Sequence, residues 1–269
     1  MRSELLEVSI NAAVQAGVKI MEIFHDRIRI RIKRNLTPVT NADKAANQII
    51  TDTLSSFNIP LISEESVIPP YEERRTWNLF WLVDPLDGTM EFISRGRDFT
   101  VNIALLHNNN PVMGVIYAPA YDILYFAEEQ TGSYKLSDAY GFVNSHQNGG
   151  MELLVSKSTR LPYTRTETYT FVTSRSHIDG RTRRYINNRQ QSFQCLQKGS
   201  SLKLCALAEG VADEYPRFGK TMEWDIAAGN AILRLADGQI RNTIDGEPMK
   251  YNKEILVNTG FIAYSSIPV

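Results

Sequence analysis

The chain has almost no cysteine, only Cys195 and Cys205 among 269 residues. That excludes a disulfide-stapled fold and any cysteine-built zinc or redox motif, whose spacings this pair does not match. Each is expected to be a small buried apolar residue in a protein of the reducing cytoplasm. Long apolar runs are missing as well. None approaches the roughly 18 residues of a spanning helix, and the N-terminus, with Glu4 and Glu7 in its first turns, lacks a signal-peptide layout. Neither sign of charge is in excess: 29 basic against 30 acidic residues leave −1, with no overall pull toward nucleic acid or an anionic membrane. Low-complexity tracts and internal repeats are absent, and the 11 prolines and 16 glycines are spread out rather than pooled in a linker. What is present is ordinary, 43% hydrophobic and 22% charged residues. The length suffices for a substantial core, expected as two packed subdomains.

Leu5, Val8, Ala12, Ala16, Ile20 and Ile23 recur at helical spacing and predict a long first helix. "RIRIRIKR", residues 27–34, alternates basic and apolar side chains. An RNA or lipid surface would use such a stretch, but period-2 alternation reads better as a strand with isoleucines inward and arginines in water. "TPVTNADKAANQIITDTLSSF" predicts a second helix capped by Thr40 and Asn41, with Ala46, Ile49, Ile50, Thr53 and Phe57 on its inner stripe. Asp43 falls in its first turn, where capping alone would account for a carboxylate. "IPLIS", "LFWLVD", "FTVNIALLH", "PVMGVIYAPA" and "DILYFAEE" then read as strands of a largely antiparallel sheet backed by the two helices. From about residue 152 strands and helices alternate, predicting an α/β second half, with "NSHQNGG" as the boundary. The division is therefore 1–150 and 151–269.

The acidic residues carry the chemistry. Glu64 and Glu65 in "LISEES", Asp84 and Asp87 in "WLVDPLDGT", and Asp225 in "TMEWDIAAG" each stand where an apolar element meets a turn, a usual mounting point for functional groups. Gathered together they would repel, by about 4 kcal/mol for two unit charges ~4 Å apart at an effective dielectric near 20. Protonation or cations must relieve this, and an all-oxygen donor set suits Mg²⁺ or Mn²⁺. Phosphoryl transfer to water is the expected reaction of such a cluster. Pro85 stiffens the turn so that Asp84, Asp87 and the Leu86 carbonyl face one centre. The amides of Gly88 and Thr89 are placed for a phosphate, and the Thr89 hydroxyl for a water. An isolated D-x-x-D-G-T would be weak, since an Asx-capped turn looks similar.

"SEES", "WLVDPLDGTMEFI" and "WDIAAGNAI", in that order, resemble the inositol monophosphatase superfamily of Mg²⁺-dependent, lithium-sensitive phosphatases. "VTSRSH", "GSSLKLCALAEGVADEYPRFG" and "EFISRGRDFTVNIAL" are similar to its CysQ-type 3'(2'),5'-bisphosphate nucleotidases. The resemblance implies an α/β (α+β sugar-phosphatase) fold layered α-β-α-β-α, with a metal-binding first half and a substrate-binding second half. It also implies release of the 3'-phosphate of adenosine 3',5'-bisphosphate (PAP) to leave AMP. Glu64, Asp84, the Leu86 carbonyl, Asp87 and Asp225 match the ligands of two Mg²⁺ ions, or three. Asp43 and Thr89 match the pair that activates the water, which Glu64 helps to position. Gly88, Thr89, His177, Ser200, Lys203, Arg217 and Asp225 match substrate contacts. From the residues alone, Lys203 and Arg217 are equally readable as solvated charges, His177 as a loop hydrogen-bonder, and Glu65 as a supporting or capping residue.

Met90 departs from the lysine common in this subgroup, and residues 138–168 match no motif. The resemblance implies a small-molecule substrate; with the cysteine content, charge balance and lack of apolar runs, the expectation is a cytoplasmic monomer or homodimer with no nucleic-acid partner and no transmembrane segment. The resemblance would allow loose attachment to the cytoplasmic face of the inner membrane, but nothing in the sequence encodes an anchor. Two rival readings fit the same residues: an inositol-phosphate or fructose-1,6-bisphosphate phosphatase of the same fold, and a non-catalytic nucleotide sensor.

Overall fold

The computed structural model describes residues 2–33, 36–146, 150–175 and 178–266. Its first helix, α1 (Arg2–His25), lies beside α2 (Asn41–Ser55), and a two-stranded hairpin of β1 (Ile30–Ile32) and β2 (Pro38–Thr40) joins them. A mostly antiparallel sheet follows. Its spatial order is β3 (Leu61–Ser63), β4 (Leu79–Asp87), β5 (Thr100–His107), β6 (Asn110–Ala118), β7 (Ile123–Glu128), β8 (Gly132–Ser137) and β9 (Thr159–Arg160), with only the β3–β4 pair parallel. Short helices α3 (Tyr71–Arg74) and α4 (Thr89–Ile93) flank β4. In the stretch without a motif, α5 (Ala139–Ser145) and α6 (Gly150–Lys157) pack against α1.

The apolar runs of β4 and β5 look continuous because both faces of this sheet are covered. Trp81, Val83, Ile103 and Leu105 point into a core with α1 and α2, while Phe80, Leu82, Ala104 and Leu106 join a second core on the opposite face. That second core is completed by α8 (Leu202–Glu209) and α9 (Glu223–Arg234). A second sheet runs in the order β11 (Gln194–Lys198), β10 (Thr170–Ser174), β12 (Glu214–Arg217), β14 (Phe261–Tyr264) and β13 (Gln239–Asn242), and α7 (Gly180–Asn187) rests on β12. The architecture is thus mixed α/β, layered α-β-α-β-α. Among the described residues no helix is long and apolar enough to cross a membrane.

Two expectations are overturned. Ile30 and Ile32 are exposed, not inward. The alternation belongs to a three-residue strand in a two-stranded ribbon, which has no sheet face over a core to bury them. Cys195 is exposed on the edge strand β11, whereas Cys205 is buried in α8 as expected. The inner stripe of α2 also takes in Leu54, which is fully buried, while Ile49 and Phe57 are only partly covered.

Candidate active site

Local chain chemistry sets out each acidic group. At the start of α2, Thr40 and Asp43 form a reciprocal capping box: the Thr40 hydroxyl accepts from the Ala42 and Asp43 amides, and Asp43 Oδ2 accepts from the Thr40 amide at 2.8 Å. The other oxygen, Oδ1, accepts from the Thr89 hydroxyl at 3.1 Å. Capping and function are therefore not rivals for Asp43, since each uses a different oxygen.

β4 ends in an irregularity. Its register against β5 shifts between Asp84 and Asp87, around Pro85, which has no N–H to give to the ladder. Within this bulge the Leu86 amide donates to Asp84 Oδ1 at 3.1 Å, and the chain turns through Gly88, whose φ of +90° suits glycine. At the first turn of α9, the Met222 amide donates to Asp225 Oδ2 at 2.8 Å. Asp87 Oδ2 accepts from the hydroxyls of Ser200 and Ser201 at 2.6 and 2.9 Å. One oxygen of Asp84, Asp87 and Asp225 is thus tied to the fold, which leaves the other for a ligand.

These groups line a cavity of about 320 Å³. Of the expected site residues it holds Glu64, Asp84, Leu86, Asp87, Gly88, Thr89, Ser200, Lys203, Arg217 and Asp225. Asp43 reaches it through Thr89, and His177 lies outside the described residues. One ligand atom each from Glu64, Asp84 and Asp225 fall within 4.8 Å of one another. Burial, compounded by the neighbouring charges of Glu64, Asp87 and Asp225, pushes the Asp84 carboxyl well above its ordinary range. Burial and Asp87 do the same to Asp225, and burial raises Asp43. Carboxylates so desolvated and so close fit a divalent cation, which would return the lost solvation and cancel the repulsion.

The cationic side is smaller. Lys203 is buried, its ammonium donates to the Ser200 carbonyl at 2.6 Å, and desolvation lowers its pKa to about 8. Sequence reasoning missed Lys33, which the hairpin brings onto Glu64 at 2.9 Å and onto Glu65. Glu65 therefore serves as a partner of Lys33. Lys33 stands in an alternating basic-apolar run, and sequence gives no sign of its target. A larger cavity of about 650 Å³ lies beside Tyr125, Lys135 and Glu209 and holds none of the expected site residues. Of its two acids, Glu167 and Glu209, the second is already bonded by Tyr125, Tyr163 and Lys135, and among the described residues no cluster of carboxylates forms there, so chemistry rather than size identifies the site.

A mixed α/β scaffold that converges carboxylates on a small pocket with a buried lysine defines a metal-dependent phosphatase class. A model of the inositol monophosphatase family matches residues 1–265, and the chain belongs to that family. It is 37% identical over 262 residues to the 3'(2'),5'-bisphosphate nucleotidase CysQ of Shigella flexneri, covering 96% of this chain and 98% of that one. The CysQ of Buchnera aphidicola is 37% identical over 270 residues, 97% and 93% of the two chains. The crystal structure of CysQ from Bacteroides thetaiotaomicron, a bacterial member of the inositol monophosphatase family, superposes with a TM-score of 0.90 at 41% identity, covering 99% and 98%. An inositol monophosphatase from Thermotoga maritima, at 21% identity, shares the fold with a TM-score of 0.75 over 98% and 92%.

Proposed function

We propose that the protein is a 3'(2'),5'-bisphosphate nucleotidase: a Mg²⁺-dependent phosphatase that hydrolyses the 3'-phosphate of adenosine 3',5'-bisphosphate to AMP and phosphate. One observation carries it. The convergent acids Glu64, Asp84 and Asp225 share a pocket with Thr89, which is bonded to Asp43, and with the cations Lys203, Arg217 and Lys220. Mg²⁺, as two ions or three, would be held by Glu64, Asp84, the Leu86 carbonyl, Asp87 and Asp225. Bound there, it supplies Lewis-acid charge to the phosphate oxygens.

The residues do the rest. The Thr89 hydroxyl lies 3.1 Å from Asp43 Oδ1 and 3.2 Å from the Leu86 carbonyl; as it gives its proton to Asp43, its oxygen takes one from a water oriented in the pocket, which Glu64 helps to place. The water oxygen bonds to phosphorus as the bond to the ribose 3'-oxygen breaks beside Asp225, and the departing oxygen takes up a proton from solvent to leave the 3'-hydroxyl of AMP. The Gly88 and Thr89 amides receive the reacting phosphate. Lys203, Arg217, Ser200 and His177 hold the remainder of the nucleotide, including the phosphate that hydrolysis leaves in place. On this reading residues 1–150 form a metal-holding half and 151–269 a substrate-holding half that lends Asp225, in a cytoplasmic protein.

Phosphate release from adenosine 3',5'-bisphosphate and from inositol 1-phosphate, measured with Mg²⁺, tests the substrate. The bisphosphate should show a kcat/KM at least about a hundredfold higher, because pocket groups built to bind its second phosphate are left unpaired by the other. Equal or reversed values would overturn the nucleotide assignment.

A further inference from the structure

The stretch "DFTVN", residues 98–102, is used by none of the roles above, yet it is aimed at the site. Thr100 and Asn102 stand directly opposite Asp87 and Asp84 in the β4–β5 register. With Asp98 they fall at i, i+2 and i+4, the spacing that brings side chains to one side of an extended strand. All are buried.

Each meets one residue of the loop that leads into α8. Asp98 Oδ2 accepts from the Gly199 amide at 2.8 Å. Thr100 Oγ1 and Ser200 Oγ are 2.6 Å apart. Asn102 Nδ2 donates to Ser201 Oγ at 2.7 Å. The contact is also tight: a Cβ on Gly199 would lie 2.6 Å from that of Asp98.

The Asn102 amide, which can only donate through its nitrogen, fixes the direction of one rung. Ser201 receives the Asn102 amide, so its own hydrogen turns to Asp87 Oδ2 at 2.9 Å or to the Asp225 carbonyl at 2.9 Å. Thr100 has one hydrogen for two acceptors, Asn102 Oδ1 at 2.8 Å and Ser200 Oγ at 2.6 Å; when it goes to Ser200, the Ser200 hydrogen is left for Asp87 Oδ2 at 2.6 Å. Arg175 at 2.9 Å and the Tyr121 hydroxyl at 2.6 Å hold the Asp98 end in place.

We infer that Asp98, Thr100 and Asn102 are positioning residues: they fix residues 199–201 one by one, and through the two serines they orient Asp87 for metal and set the loop that carries Lys203. The inference rests on the metal-dependent reading of the site. It concerns how the two sheets are kept in register at the pocket, and none of the three touches substrate.

Calorimetric Mg²⁺ titration of chelator-stripped protein, without substrate, tests it on the unaltered chain and on Thr100→Val, Thr100→Ser and Asn102→Leu, with Tm recorded for each. Removing groups that orient ligands weakens metal binding by roughly 10–100-fold. Thr100→Val and Asn102→Leu should fall in that range and regain kcat in excess Mg²⁺, whereas Thr100→Ser, which keeps the hydroxyl, should stay within about threefold of the unaltered chain. Loss of Tm with unchanged Mg²⁺ affinity would make the ladder merely structural and overturn the inference, as would Thr100→Ser binding as weakly as Thr100→Val. Should Asn102→Leu fail to fold, the threonine pair alone decides. No Mg²⁺ uptake by the unaltered chain would instead overturn the metal reading, and this inference with it.

Discussion

Glu223 and Asp225 sit two residues apart in the first turn of α9, and their surroundings are opposite. Glu223 is fully buried and saturated: the Asn252 and Lys253 amides donate to it at 2.6 and 3.1 Å, and the Lys253 ammonium at 2.5 Å. Asp225 has one amide for one oxygen, and the charges of Asp87 and Glu64 nearby. The first arrangement is what folding selects for a buried charge, donors on every side. The second is held in place by the rest of the fold, and the charge of Arg217 offsets the neighbouring carboxylates only in part, so a cation from outside would relieve it. A buried acid by itself therefore indicates nothing. A buried acid surrounded by other acids is the mark of a site.

The largest effect is expected at Asp43, which belongs to both kinds of environment, with one oxygen in a cap and one on Thr89. Asp43→Asn keeps an acceptor for the cap but cannot take up a proton. Its kcat should fall on the order of a thousandfold, with calorimetric Mg²⁺ uptake nearly unchanged; near-normal turnover would remove it as the base.

Stability then separates the two acids of α9. Glu223→Gln strands Lys253 and should cost about 3 kcal/mol in denaturant unfolding, with Mg²⁺ affinity kept within about twofold. Asp225→Asn removes a repelled charge, and at neutral pH it should raise metal-free stability by about 1 kcal/mol or more while abolishing most Mg²⁺ uptake. Changes of the same sign in both variants would end the comparison.

A pH series extends the contrast. Burial and neighbouring carboxylates lift the folded-state pKa of Asp84 and Asp225 above their unfolded value. Between the two values the native state keeps a proton that the unfolded chain has lost, so stability falls as pH rises, by up to about 1.4 kcal/mol per unit for each group. Metal-free protein should accordingly lose Tm from acidic toward neutral pH. Mg²⁺ at a hundred times its Kd should return about 2.7 kcal/mol. A Tm that rises over that range without metal would refute it.

The smallest effect is at Lys203. With a pKa near 8, its ammonium is lost just above neutrality. KM for the bisphosphate should climb beyond that pH by at most about tenfold per unit. A flat KM between pH 7 and 9 would place its charge outside substrate binding.

The sequence disclosed what is local. The bulge at "DPLDGT", the cap at Thr40 and the helix start at Asp225 are each written in a few neighbouring residues whose backbone needs are specific. It disclosed less where meaning depends on a distant partner. Lys33 gains its role from Glu64 and Glu65, about thirty positions away, and of the isoleucines around it only Ile28 packs against the core, while Ile30 and Ile32 are exposed. "DFTVN" reads as an ordinary strand, because a strand's pattern fixes which side a residue faces and not what waits there. Cys195 was misjudged for a similar reason: its strand lies at an edge, and edges depend on topology.

Covering the Phe80, Leu82, Ala104 and Leu106 face of the first sheet with α8 and α9 has a consequence for biosynthesis. Its strands leave the ribosome well before the helices that cover them, so the nascent chain presents a bare apolar surface suited to chaperone binding. Chains stalled short of Glu223 should remain open to protease and become resistant once α9 has cleared the exit tunnel. Resistance appearing earlier would mean that the sheet can shelter itself.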